Sequence, residues 1–206
     1  MIMNRRIARA LAVLALLAPA LASAQARVLQ FRSAEDPASP PDKAACAEAP
    51  FTPNLFIGGS LYTYETRERS GEVVTEEARA IGKATACAKI TNFAFPPLLS
   101  QRFFLQLTLP DGVYKASGSC TIISNKVPKG GLVLAGCNLA IVAAPDGVIG
   151  GAVTSLSTFN PFRLVGFATG SYWTVQIYDA DRGPERHQDS DHAMEWIDGG
   201  DHDPGK

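Results

Sequence analysis

From residue 51 to residue 178 the chain runs as short apolar stretches cut at even intervals by turn-forming residues, and this pattern limits the fold more than any other feature. A side-chain period of two belongs to strands, whose successive side chains point to opposite faces. Residues 102–109 show it best. Phe103, Leu105, Leu107 and Leu109 share one face and Arg102, Gln106 and Thr108 the other, with Phe104 alone out of step. Segments 55–66, 72–92, 113–124, 132–143, 148–155 and 163–178 complete a series of seven strands, or eight if 72–92 is divided. No segment of this body carries a helical stripe; "TEEARAIGKA" makes one turn at most, because Gly82 and the Thr/Cys run behind it favour strand. The connections have hairpin length. Ser70-Gly71 suits a tight turn, and Pro-Asp-Gly-Val occurs twice, at 110–113 and 145–148. Proline pre-sets φ and glycine supplies a positive φ, so both copies read as hairpin corners rather than as a duplicated site.

Consecutive strands with hairpin turns predict an all-β antiparallel meander of seven or eight strands. Such a sheet must hide its edges, and closing into a small soluble barrel does so completely, with a two-sheet sandwich as the alternative. An outer-membrane barrel fits less well. Lys83, Lys89 and Lys115 fall in mid-strand, and the chain ends in an acidic stretch instead of a strand.

The ends differ from the body. Residues 1–26 carry Arg5, Arg6 and Arg9, then a short apolar run, then Ala22-Ser23-Ala24 and Ala24-Gln25-Ala26, the layout of a cleaved signal peptide. Export to the periplasm or beyond is therefore expected, with no integral membrane segment after cleavage. Residues 27–50 are rich in Pro and Ala and read as an extended leader ahead of a β-barrel domain at 51–178. Residues 179–206 hold 9 Asp and Glu against 3 Lys and Arg, together with all three histidines, and read as a disordered acidic tail. His187, Asp189, Asp191 and His192 there could hold a cation only weakly, since their spacing fits no known calcium loop. Residues 27–178 have 13 Lys and Arg against 11 Asp and Glu, which excludes a basic footprint for nucleic acid.

In an oxidising compartment the four cysteines favour disulfides, and none has metal-ligand spacing. Strands 113–124 and 132–143 flank "NKVPKGGL". If Ser124 opposes Val133, Cys120 falls opposite Cys137, within bridging reach. That pairing leaves Cys46 and Cys87 to staple the leader.

"AIGKATACAKI" followed by "RFFLQLTLPDGVYKASGSC" resembles the middle strands of the allene oxide cyclase/dirigent-like barrels, over about residues 81–120. The resemblance implies an eight-stranded barrel with a central cavity. The Gly-Gly-Thr-Gly-type motif of that family is not reproduced by "GGLVLAGC" or "VIGGAVTS", so no catalytic residue is carried over.

Catalytic motifs are absent from the sequence. No G-x-S-x-G elbow occurs, every histidine lies in the tail, and the Gly pairs lack a phosphate-binding frame, so no cofactor is implied. The glutamates Glu65, Glu68, Glu72, Glu76 and Glu77 gather at the first hairpin, a solvated place, whereas acid–base work demands buried groups. Candidate ligand contacts are polar or amphipathic side chains inside apolar strands: Tyr62, Tyr64, Asn138, Tyr172 and Arg163. Tyr172 and Trp173 must face opposite ways. Three functions remain: a small, largely apolar ligand bound in a central cavity, a cyclase or isomerase, or a filled barrel serving as a structural or interaction domain. The oligomeric state is left open.

Overall fold

The computed structural model describes residues 26–127 and 130–180. Eight strands, β1 (Ala26–Glu35), β2 (Leu55–Arg69), β3 (Glu72–Lys89), β4 (Ser100–Leu109), β5 (Gly112–Val127), β6 (Leu132–Ala143), β7 (Val148–Phe159) and β8 (Gly170–Asp179), form one antiparallel meander. Each strand pairs with its neighbour in sequence, and β8 pairs with β1, so the sheet closes as a barrel. A single short helix, α1 (Lys43–Ala47), interrupts the β1–β2 connection. Among the described residues no helix is long and apolar enough to cross a membrane.

The strand that closes the ring comes from the expected leader. Residues 26–35 alternate, with Phe31 and Ser33 buried and Val28 in solvent, and they pair with β8 from Ala26↔Tyr178 to Ala34↔Gly170. The Pro-rich stretch that follows masks this period in the sequence. The 72–92 segment is one strand, with two irregularities opposite Leu61–Tyr64. At the other end the 163–178 strand is too long. β8 starts only at Gly170, because Arg163 and Gly166 take positive φ values of 52° and 85° and hold 160–169 as a loop. The expected signal peptide falls outside the described residues except for Ala26, which begins β1, and so does the acidic tail beyond Ala180.

Up-and-down topology sorts the connections by end. The upper end carries the β1–β2, β3–β4, β5–β6 and β7–β8 connections, and the lower end carries the tight turns. Ser70 and Gly71 both have positive φ, as a two-residue hairpin turn requires. The two Pro-Asp-Gly corners are built differently. Leu109 pairs with Gly112, leaving Pro110-Asp111 as the turn, whereas Val148 N–H bonds to the Pro145 carbonyl, placing Gly147 at a φ of 88° inside the turn. They also touch. A Cβ on Gly112 would stand 2.4 Å from the ring of Pro145, so only glycine lets the second corner rest on the first.

The inward residues fill the barrel. Phe31, Leu61, Leu105, Leu107, Tyr114, Val153, Trp173, Val175 and Ile177 form the lower and middle core, and each large apolar side chain contributes about 1.5–3 kcal/mol on burial. Ala88, Ile122, Val133, Ala135 and the Cys120–Cys137 disulfide form the upper core. Phe95, from the β3–β4 connection, seals it edge-on against Phe159.

Outside the barrel, the β1–β2 connection lies as a strap across the wall. Asp42 caps α1 by accepting from the Ala44 and Ala45 N–H groups, and its own N–H bonds to Thr85 Oγ1. Cys46 is joined to Cys87, and the pair buries Phe104. The one residue out of step in the 102–109 alternation is thus an outward aromatic with its own cover. Arg102 lies 4.8 Å over the Phe51 ring and donates to the Pro50 carbonyl, and Lys115 pairs with Glu48. The strap passes so close to Gly58 that a Cβ there would meet the Ser39 carbonyl oxygen at 2.2 Å. Both disulfides join the expected cysteines, Cys120–Cys137 from register and Cys46–Cys87 as the remaining pair. The anchor is corrected, however: Ser124 pairs with Leu134 rather than Val133, because an irregularity between Ile122 and Ser124 absorbs one residue after Cys120↔Cys137 is set.

Candidate functional site

Three places concentrate polar chemistry. The first is the lower mouth. β1 brings Arg27, β8 brings Asp179, and the first Pro-Asp-Gly corner brings Asp111 three residues before Tyr114. Tyr114 donates to Asp111 Oδ2 at 2.8 Å, and Arg27 reaches the same oxygen at 3.0 Å and the Tyr114 hydroxyl at 3.2 Å. Arg27 Nε lies 3.4 Å from Asp179 Oδ2, an ion pair without a hydrogen bond. Burial would raise the Asp111 carboxyl, but the hydrogen bonds from Tyr114 and Arg27 outweigh it and hold the group below its ordinary value. Burial, then the bond to Asp111, pushes the Tyr114 phenol up. The carboxylate is thereby a weaker base and the phenol a weaker acid than usual, so the cluster is a clamp on the barrel mouth rather than an acid–base pair.

The second place is inside. Ser155, Ser157 and Ser171 are linked by hydroxyl contacts of 2.9 and 2.8 Å beside the Cys120–Cys137 bridge, and Trp173 Nε1 donates to Ser33 Oγ at 2.9 Å. Ser33, Ser171 and Trp173 border an interior cavity of about 50 Å³. That volume admits a few water molecules and falls well short of the roughly 300 Å³ at which small-molecule pockets begin. Larger spaces lie outside the core. One of about 260 Å³ lies between the strap and the β3–β4 wall, beside Asp42, Lys83 and Thr85. Another of about 320 Å³ lies at the upper end, beside Glu35, Asn160 and Arg163.

The third place is the outer wall, where most of the sequence-selected residues lie. Tyr62 pairs with Arg32, Arg32 with Tyr172, and Tyr172 with Leu156, forming one outward row across β2, β1, β8 and β7. Tyr64 meets Tyr172 edge-on, with ring centroids 5.5 Å apart, and the Arg32 guanidinium lies 5.7 Å from the Tyr172 centroid. Tyr62, Tyr64 and Tyr172 are therefore together, but on the outside. Trp173 takes the inward place beside Tyr172, as alternation requires. Asn138 stands apart and exposed, because Cys137 and Leu139 on either side of it take the interior. Arg163 is in the β7–β8 loop, not at the head of a strand.

Reading the sequence alone missed Arg27, Arg32 and the Asp111–Tyr114 pair. The signal for the pair was present: an acid at a corner and a tyrosine three residues on, at the start of an alternating run. Arg27 and Arg32 were hidden in the segment taken for a leader. Comparison with protein-family models, curated proteins and solved structures returned no match for the chain.

Proposed function

We propose that this chain is an exported interaction domain, a disulfide-stapled barrel whose filled interior serves as scaffold and whose outer surface does the work. One observation carries the reading: among the described residues side chains occupy the barrel, and the cavity beside Ser33, Ser171 and Trp173 measures about 50 Å³. A carrier of an apolar ligand, or a cyclase that steers a reactive intermediate, needs a shaped cavity several times larger. The two disulfides are compatible with an oxidising compartment, which supports export to the periplasm or beyond. The resemblance to allene oxide cyclase/dirigent-like barrels is, on this reading, one of architecture, and fold does not imply activity.

Native mass spectrometry of the purified protein tests the proposal. The expected spectrum shows the bare chain, four hydrogens lighter than its fully reduced form. A stoichiometric small molecule that survives gentle desolvation would overturn it.

A further inference from the structure

We infer that the upper end of the barrel docks on an anionic lipid bilayer. The inference rests on the surface-acting reading above and names its partner. The upper connections hold apolar side chains in water. Phe93 and Leu98 in the β3–β4 connection, and Phe162 and Val165 in the β7–β8 connection, are all exposed, Leu98 at 86% and Val165 at 97%. These are not slack loops. Leu98 N–H bonds to the Ile122 carbonyl at 2.8 Å, and Leu99 accepts from Ile122 N–H at 2.9 Å. The Asn160 side chain ties its loop at three points, donating to Leu164 O and Phe167 O and accepting from Leu164 N–H.

The backbone is strained where it presents these tips. Leu98 has a φ of 69° and Arg163 a φ of 52°, in the left-handed region that bulky side chains disfavour. A leucine held there with its side chain in solvent is unfavourable twice over in the free protein. Both penalties make sense if the tip has a destination.

Charge points to the kind of destination. The described parts of the β3–β4, β5–β6 and β7–β8 connections, with the adjoining end of β5, carry Lys126 and Arg163 and no acid. Glu35 and Asp36 begin the strap nearby, and Asp36 is turned to Ser60 Oγ and the Ala38 N–H. The lower end is the reverse, with Asp111 and Asp146 at its corners. A protein partner would need a broad, flush patch of about 800 Å². Separate, nearly free-standing tips flanked by cations instead suit insertion among lipid headgroups, where buried apolar area and attraction to anionic lipid add. Lys83, Lys115 and the strap make one side of the wall polar, and the most exposed apolar tips, Leu98 and Val165, both lie at the upper end.

The test is partitioning of the intact oxidised protein onto vesicles, either phosphatidylcholine alone or phosphatidylcholine with an equal amount of phosphatidylglycerol. Wild-type protein should favour the mixed vesicles by about tenfold or more, and salt should weaken that preference. Leu98→Asn combined with Val165→Ser should cut binding by about tenfold. Asparagine accepts the left-handed conformation, so the Leu98→Asn urea midpoint should not fall. Arg163→Gln and Lys126→Gln should each weaken binding to the mixed vesicles about fivefold and leave phosphatidylcholine unaffected. Any of three outcomes overturns the inference: no partitioning by wild type, full binding by the tip variants, or a solution dimer that the tip variants dissociate, which would make this end a self-interface. A co-purified small molecule would count against the filled-barrel reading instead, and it is read in a separate experiment.

Discussion

Replacing Tyr114 by Phe removes one oxygen from the lower clamp and leaves the packing of the ring intact. That hydroxyl donates to Asp111 and accepts from Arg27, both charged, while the ring around it is almost fully buried. Hydrogen bonds to charged groups are worth about 1.5–3 kcal/mol when buried. Asp111 is half-exposed and keeps Arg27, so water recovers part of the loss and about 2 kcal/mol remains as the expected cost. Urea unfolding should show this as a midpoint lowered by about 1 M at an unchanged slope of about 2 kcal/mol/M.

The pH dependence is more specific. Asp111 is held below its ordinary 3.8, so its contribution is complete above that pH and is lost as pH falls through the lower folded value. Tyr114 is held above its ordinary 10.0, so its contribution is complete below that pH and is lost as pH rises through the higher folded value. The difference between wild type and variant should therefore form a plateau between these limits and shrink outside them. On the acid side wild type should lose more stability than the variant, because its Asp111 is held further below the ordinary value. A difference under about 0.5 kcal/mol near neutrality, or one flat across the whole range, would refute the clamp.

Other substitutions probe the strap and the upper loops. Removing the Cys46–Cys87 bridge, which closes 41 residues, should cost about 4 kcal/mol by chain entropy and open the strap to proteolytic nicking, mapped by mass spectrometry. Removing Cys120–Cys137, which closes 17, should cost about 3 kcal/mol with the strap still protected. Gly58→Ala pushes a methyl group into the strap backbone and should cost about 2 kcal/mol in thermal or urea unfolding. Asn160→Ala frees three loop hydrogen bonds and should speed amide exchange at Leu164 while leaving exchange in the core strands unchanged.

How far the sequence foretold this molecule depended on whether local chemistry decided the outcome. Alternation set Tyr172 and Trp173 on opposite faces, and it paired Cys120 with Cys137, because a period of two leaves no third option. Ser70-Gly71 declared its turn through backbone conformation. Phe104 broke the pattern for a reason no local rule supplies: its cover arrives from a helix about sixty residues earlier. β1 was concealed in the same way, since its pairing with β8 joins segments far apart in the chain and its own alternation is short. Asn138 was conspicuous only by contrast with apolar neighbours, and that contrast is what an outward position in a wall strand produces. Tyr62, Tyr64 and Tyr172 lie together on the outer wall, and a strand pattern alone does not say which face of a closed sheet is inside.

The strap has a consequence for the way the ring stays shut. β1 reaches its place beside β8 on a tether of 19 residues, 36–54, that runs to β2. Cys46 fixes the middle of that tether to the wall, so the slack between β1 and a fixed point is the ten residues 36–45. A β1 that peels away returns to its own slot, at the high local concentration a short leash imposes. Without the bridge, the open edges of β2 and β8 become available to the first strand of another copy, which fits them equally well. Oxidation of one cysteine pair thus roughly halves the leash on which the closing strand returns to its slot.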